Sequence, residues 1–175
     1  MEILHKYFSS KKYMILFFVS SLMCIATMTV IFGFSSQNSA VSSDTSGFTI
    51  LHILKCVYPK FNSLTQNAKD TLIENLQFFI RKLAHFSVYC ALGFFAQTSL
   101  LCVRPLSKKK KTIISFILSL VYAVSDELHQ LFVPGRACRI FDVAVDSAGA
   151  ILGILISLMI FLIFQKKRQH KTIRY

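Results

Sequence analysis

Three short stretches of the chain hold most of the residues whose types and spacing could do chemistry: Arg81, Lys82, His85 and Tyr89; Tyr122, Asp126, Glu127, His129 and Gln130; and Arg136, Arg139, Asp142 and Asp146. Histidines near carboxylates suit acid–base work. His85 or His129 could act as general base, Asp126 or Glu127 could orient it, and Lys82 or Arg136 could stabilise charge developing on a phosphate. The same groups also suit binding. Cations match phosphate oxygens and carboxylates match amines, so Lys82, His85, Tyr89, Asp126, Gln130, Arg136, Asp142 and Asp146 are candidates to hold a zwitterionic or phosphate-bearing headgroup. A metal held by His85, His129, Asp126 and Asp146 is compatible in ligand type. The spacing matches no known metal signature, so neither a metal nor a cofactor is expected. No GxSxG or HExxH motif is present, and no cysteine stands beside a histidine. The bland alternative is that the charges cap helices and fasten their ends by ion pairs. That is the reading for Arg81, Glu127 and Arg139, near the water boundary; for Lys82, His85, Asp126, Gln130 and Asp146 both readings stand.

The elements that must position these residues follow from composition. Of the 175 residues 54% are hydrophobic and 16% charged, and the mean hydropathy is +0.55, too apolar for the surface of a soluble domain. The surplus must face lipid, in an all-α membrane protein with a single domain over 1–175. Four crossings are expected, at about 13–34, 82–103, 112–133 and 140–164, each long enough at about 1.5 Å per residue to span a hydrocarbon core of about 30 Å. The first is too long for the apolar core of a signal peptide and lacks a clean cleavage site, so it reads as retained. Ser35 to Ser46 reads as an exit loop, and Thr65 to Ile80 as an amphipathic helix, lying on the membrane surface before the second crossing or packed on the other helices. Five cysteines show no metal-ligand spacing; only Cys56 and Cys138 could meet outside the membrane, and nothing in their spacing demands a disulfide.

The net charge of +12 would suggest nucleic acid in a soluble protein, but here the basic residues sit beside apolar runs and read as topology signals and anionic-lipid contacts. The N-terminal segment (Lys6, Lys11, Lys12), the Arg104 to Lys111 loop and the tail from Lys166 hold about 13 of the Lys and Arg, against about 7 in the longer outer segments. Both termini and the short basic loop should therefore be cytoplasmic. Counting up from the basic ends, Asp126 stands about 21 Å high, Gln130 about 27 Å, His85 about 28 Å, Asp146 about 30 Å and Lys82 about 33 Å. Each helix carries its polar groups as a stripe: Lys82, His85 and Tyr89; Tyr122, Asp126, His129 and Gln130; Asp142, Asp146, Gly149 and Gly153. Acyl chains reject carboxylates at a cost of several kcal/mol, so the stripes should face one another near the outer surface. Gly149 and Gly153 form a small-xxx-small pair and should be a packing face.

In this arrangement the chain resembles the VanZ-like family of bacterial membrane proteins. The resemblance rests on Phe34-Ser35-Ser36-Gln37, on Arg81-Lys82-Leu83-Ala84-His85-Phe86 with Tyr89 and Leu92-Gly93, on Asp126 through Arg136, on Asp142-Val143, and on Gly149 through Gly153. The family often has Glu before the second-helix tyrosine, where this chain has Val88, and often Asn where this chain has Asp146, which can return the negative charge from another helix. The resemblance implies a role at the cell envelope, where resistance to teicoplanin-type lipoglycopeptides is the family's best-known phenotype.

Two readings from different classes follow. One is a non-enzymatic envelope protein that lowers antibiotic access, by binding a lipid headgroup or the acyl tail of a lipoglycopeptide in its outer-leaflet pocket, or by altering surface components. The other is a membrane-embedded enzyme acting on a lipid or lipid-linked precursor. A transporter of so few crossings would need an oligomer. Membrane lipids are the expected partners, and nucleic acid is not.

Overall fold

The computed structural model describes residue 8 and residues 10–172, with the side chains at 39–46, 49 and 168–172 outside the description; Lys6 and the last residues of the basic tail also lie outside it. Helix α1 spans Lys11–Ser35, α2 Ser39–Val57, α3 Gln66–Cys102, α4 Lys108–Gln130 and α5 Ile140–Thr172, with a short 3-10 helix at Pro59–Ser63 between α2 and α3. Among the described residues, α1, α3, α4 and the Ile140–Lys167 part of α5 are long and apolar enough to cross a bilayer. The chain is all-α, as its composition and periodicity predict.

Polarity is inverted relative to a water-soluble bundle. Large apolar side chains such as Phe18, Leu22, Ile25, Val121 and Leu128 point outward, where lipid would solvate them. The buried stripe of α1 is Ser20, Cys24, Thr27, Ile31 and Ser35, and that of α4 includes Lys111, Ser115, Ser119, Ala123, Asp126 and Gln130. Small and polar residues let the backbones approach and bond across the bundle.

The most extensive interface joins α3 to α5. Lys82 pairs with Asp142, His85 with Asp146, and Thr98 Oγ1 lies 2.8 Å from Ser157 Oγ. These pairs advance in the same direction along both helices, so α3 and α5 run parallel, with α4 returning between them in sequence. Glycines set their separation: a Cβ on Gly149 would fall 2.2 Å from the Phe86 carbonyl oxygen, and one on Gly153 would fall 1.9 Å from that of Cys90. Gly93 is equally tight against the Ala150 carbonyl oxygen, at 2.2 Å. The expected Gly149–Gly153 packing face is thus a seam of direct backbone contact.

Two expectations are corrected. The Ser35 to Ser46 segment is not an extended loop, because after a turn at Ser36–Asn38 the chain re-enters a helix at Ser39. The amphipathic Thr65 to Ile80 segment is not separate from the second crossing. It is the first part of one 37-residue helix, about 55 Å long at 1.5 Å per residue and so well beyond a hydrocarbon core of about 30 Å. No Gly or Pro lies between Gln66 and Leu92 to interrupt it. Cys56 and Cys138 are free thiols.

A basic residue read only as a topology signal has a structural task. Lys111 is buried, and its Nζ donates to the carbonyl oxygens of Val103 and Leu101, the latter at 3.5 Å. It satisfies backbone acceptors at the end of α3 that no following turn reaches.

Candidate functional site

The end of the bundle where α1 and α4 finish and α5 begins gathers the polar residues of all four crossings. The turn Val133–Arg136 directs the chain from α4 toward α5. Arg136 N–H donates to Val133 O at 3.1 Å, with Pro134 at the second position and Gly135 at the third with φ 76°. That positive φ is open to Gly at little cost, and the Pro–Gly pair is the pattern of a type II turn. The turn brings Arg136 over the helix ends.

A cavity of about 160 Å³ lies beneath it, with Arg81, Lys82, His85, Gln130, Arg136, Arg139, Asp142 and Asp146 in its wall. Lys82 is committed to Asp142 in a close ion pair. Arg136 Nε donates to the Gln37 carbonyl at 3.3 Å, and among the described residues the guanidinium makes no ion pair with Asp126, Asp142 or Asp146. Burial first, then the like charge of Arg81, press Arg136 below its ordinary pKa, against the opposing pull of Asp126, Glu127 and Asp142. Two guanidinium groups sharing a half-buried wall is an arrangement an anion would relieve.

Asp126 lies behind the cavity wall, 4% exposed. Its Oδ2 accepts from Ser35 Oγ at 2.8 Å and from Gln130 Nε2 at 3.3 Å. Ligand atoms of His85, Asp126 and Asp146 all come within 4.8 Å of one another. Three helices therefore converge on one point, because Gly149 holds α5 against Phe86 one turn below Asp146 and one residue past His85.

A second cavity of about 100 Å³ shares Arg81, His85 and Arg136 with the first. Its remaining wall is mostly apolar, with Ile31 and Phe34 of α1 and Ala84, Val88 and Tyr89 of α3. Tyr89 is fully buried, its ring 6.4 Å from that of Tyr122, and its hydroxyl has no partner. A charged cavity and an apolar one thus stand on two sides of the same cationic wall.

Two sequence candidates are elsewhere. Glu127 is buried with Oε2 accepting from the Arg139 backbone N–H at 2.9 Å, so it anchors the start of α5 and orients no histidine. His129 stacks on Phe32 with centroids 4.8 Å apart, and its Nε2 lies 3.3 Å from Ser36 Oγ. It faces α1 and is not among the groups whose ligand atoms meet at His85. Ser35 and Gln37 had no assigned role from sequence. The signal for Ser35 was its place in the α1 stripe of small and polar residues, four positions past Ile31.

Fold and site together define a multi-pass helical membrane protein with a polar pocket at one end of its bundle. The VanZ/LLP1 family model matches residues 18–164, and the chain belongs to this family. No curated protein and no solved structure matches the chain significantly.

Proposed function

We propose that this VanZ-like membrane protein sits in the bacterial plasma membrane with its pocket at the extracytoplasmic face, where it holds the phosphate-bearing headgroup of a membrane lipid or lipid-linked envelope precursor. The observation that carries the reading is the pair of cavities divided by Arg81, His85 and Arg136. Guanidinium groups match phosphate oxygens, and the adjoining apolar wall suits the first methylenes of an acyl or prenyl chain. At about 160 Å³ the charged cavity is below the range of about 300–1,000 Å³ usual for drug-sized ligands, which favours a headgroup over a whole glycopeptide. Altered presentation of such lipids would then be a route to lower susceptibility to teicoplanin-type lipoglycopeptides.

The test is native mass spectrometry of the purified chain with phosphatidylglycerol against diacylglycerol, which has the same chains and no phosphate. Phosphatidylglycerol should be retained selectively. Arg136→Lys keeps the charge but loses the two-pronged geometry, and a hydrogen bond to a charged group is worth about 1.5–3 kcal/mol, so retention should fall about 10- to 100-fold. Equal retention by wild type and Arg136→Lys would defeat the reading.

One observation favours the enzyme reading as well: His85 stands in the cavity wall with Asp146 behind it, Nδ1 to Oδ1 3.7 Å, so that a small closing movement would bring an orienting acid into hydrogen-bond reach of a base. Lipid and precursor profiling of cells expressing wild type or Asp126→Asn separates the two. A product that disappears with Asp126→Asn would mark an enzyme.

A further inference from the structure

Asp146 is 1% exposed, and neither carboxylate oxygen has a hydrogen-bond partner. The imidazole of His85 is its nearest charge partner, but 3.7 Å from Nδ1 to Oδ1 is outside hydrogen-bond range. Asp126 is a second buried carboxylate beside it. Lys82 is held by Asp142 instead, and the Arg136 guanidinium donates to the Gln37 carbonyl. Two buried carboxylates sharing one imidazole are short of positive charge in an apolar bundle, where an uncompensated charge is costly.

We propose that His85, Asp126 and Asp146 form a binding site for one divalent transition-metal cation, of the zinc or manganese class. Imidazole with two carboxylates is a ligand set both ions accept, whereas calcium and magnesium favour all-oxygen shells. Bonds of about 2.1 Å in a tetrahedral site put ligand atoms about 3.4 Å apart. The observed atoms lie within 4.8 Å of one another, so small side-chain rotations close the site. Ser35 and Gln130 both bond Oδ2 of Asp126, which leaves Oδ1 for the cation and fixes the carboxylate's direction, the usual task of groups behind a metal ligand. Three protein ligands leave a position open. His85 and Asp146 line the charged cavity, so that position faces the space where water or a phosphate oxygen would sit. His129 has no part in this set, and the proposal departs from the sequence-based expectation of no metal.

The site rests on its own coordination geometry and does not require the headgroup reading. The full chain, with its five cysteines replaced by serine so that thiols cannot supply ligands, is purified in detergent without added lipid and stripped with chelator. It is then titrated with Zn²⁺, Mn²⁺ and Co²⁺, and bound metal is measured after gel filtration. The expected result is about one equivalent of zinc or manganese per chain, with Co²⁺ giving visible ligand-field bands that Zn²⁺ abolishes. His85→Ala and Asp146→Ala should lose it, Ser35→Ala should weaken it about 10- to 100-fold, and His52→Ala, on exposed surface, should keep it. No metal retained by the otherwise unaltered chain overturns the site, and so does binding that survives both ligand substitutions. If both ligand variants misfold, Ser35→Ala decides, and affinity equal to that of the unaltered chain overturns the site. Failure here leaves the headgroup reading standing, because the titration contains no lipid phosphate.

Discussion

At the scale of the residue, Glu127 and Asp126 are neighbours in sequence with separate tasks. Asp126 turns toward His85 and Asp146, while Glu127 receives the Arg139 backbone N–H at the start of α5. Glu127→Ala should therefore cost about 0.5–1.5 kcal/mol of stability, the net worth of a part-buried hydrogen bond, while lipid retention by the folded protein is unchanged. Thermal unfolding alongside native mass spectrometry of the same sample checks both halves. Loss of lipid at unchanged stability would put Glu127 in the pocket instead. His85, Asp126 and Asp146 were legible in the sequence because lipid cannot solvate them and their heights along the helices match. Ser35 was not, because a serine in an apolar helix reads as a packing residue until its partner is known. His129 lies against Phe32 and Ser36 of α1, a placement that spacing along α4 alone does not choose.

At the scale of the element, the glycine seam between α3 and α5 fixes the register of the pocket. A Cβ at Gly153 would stand 1.9 Å from the Cys90 carbonyl oxygen, whereas one at Gly33 would meet nothing within 4 Å. Gly153→Ala should force the helices apart at a cost of about 1–3 kcal/mol; Gly33→Ala should be neutral or stabilising by up to about 1 kcal/mol. Thermal unfolding compares them, and equal midpoints would remove the seam from the account. Helix existence was legible from apolar runs, but the ends were not. The continuity of the 37-residue α3 is not visible in hydropathy, which falls where the helix leaves lipid although nothing in the backbone ends there. The role of Lys111 is not visible either, because a lysine beside three others reads as solvated charge, and only the fold reveals that it turns back to Val103 and Leu101.

At the scale of the whole molecule, orientation follows from where the basic residues fall. We propose that the α3–α4 turn is cytoplasmic and the Arg136 turn extracytoplasmic, on the excess of Lys and Arg beside the ends of the crossings. A cysteine at Lys110, in a chain lacking its native thiols, should resist a membrane-impermeant reagent in intact cells and react after permeabilisation. A cysteine at Ala137 should react in both. The reverse pattern would invert the protein. The burial of Lys111 removes one charge from contact with lipid headgroups and leaves Arg104 and Lys108 to Lys110 in the same turn, so the bias survives.

The apolar cavity is bounded by α1 on one side and α3 on the other, and Phe34 and Ala84 in its wall are exposed on the outside of the bundle. A ligand that slips between these two helices travels within the plane of the bilayer and never dissolves in water. Occupancy is then set by how crowded the leaflet is with that ligand. Confinement of this kind raises the ligand's concentration at the pocket far above its concentration in water, and a dissociation constant of about 1 mM corresponds to only about −4 kcal/mol. The pocket can thus be weak by aqueous standards and still be filled, and a protein of this design would report the local abundance of its ligand rather than merely trap it.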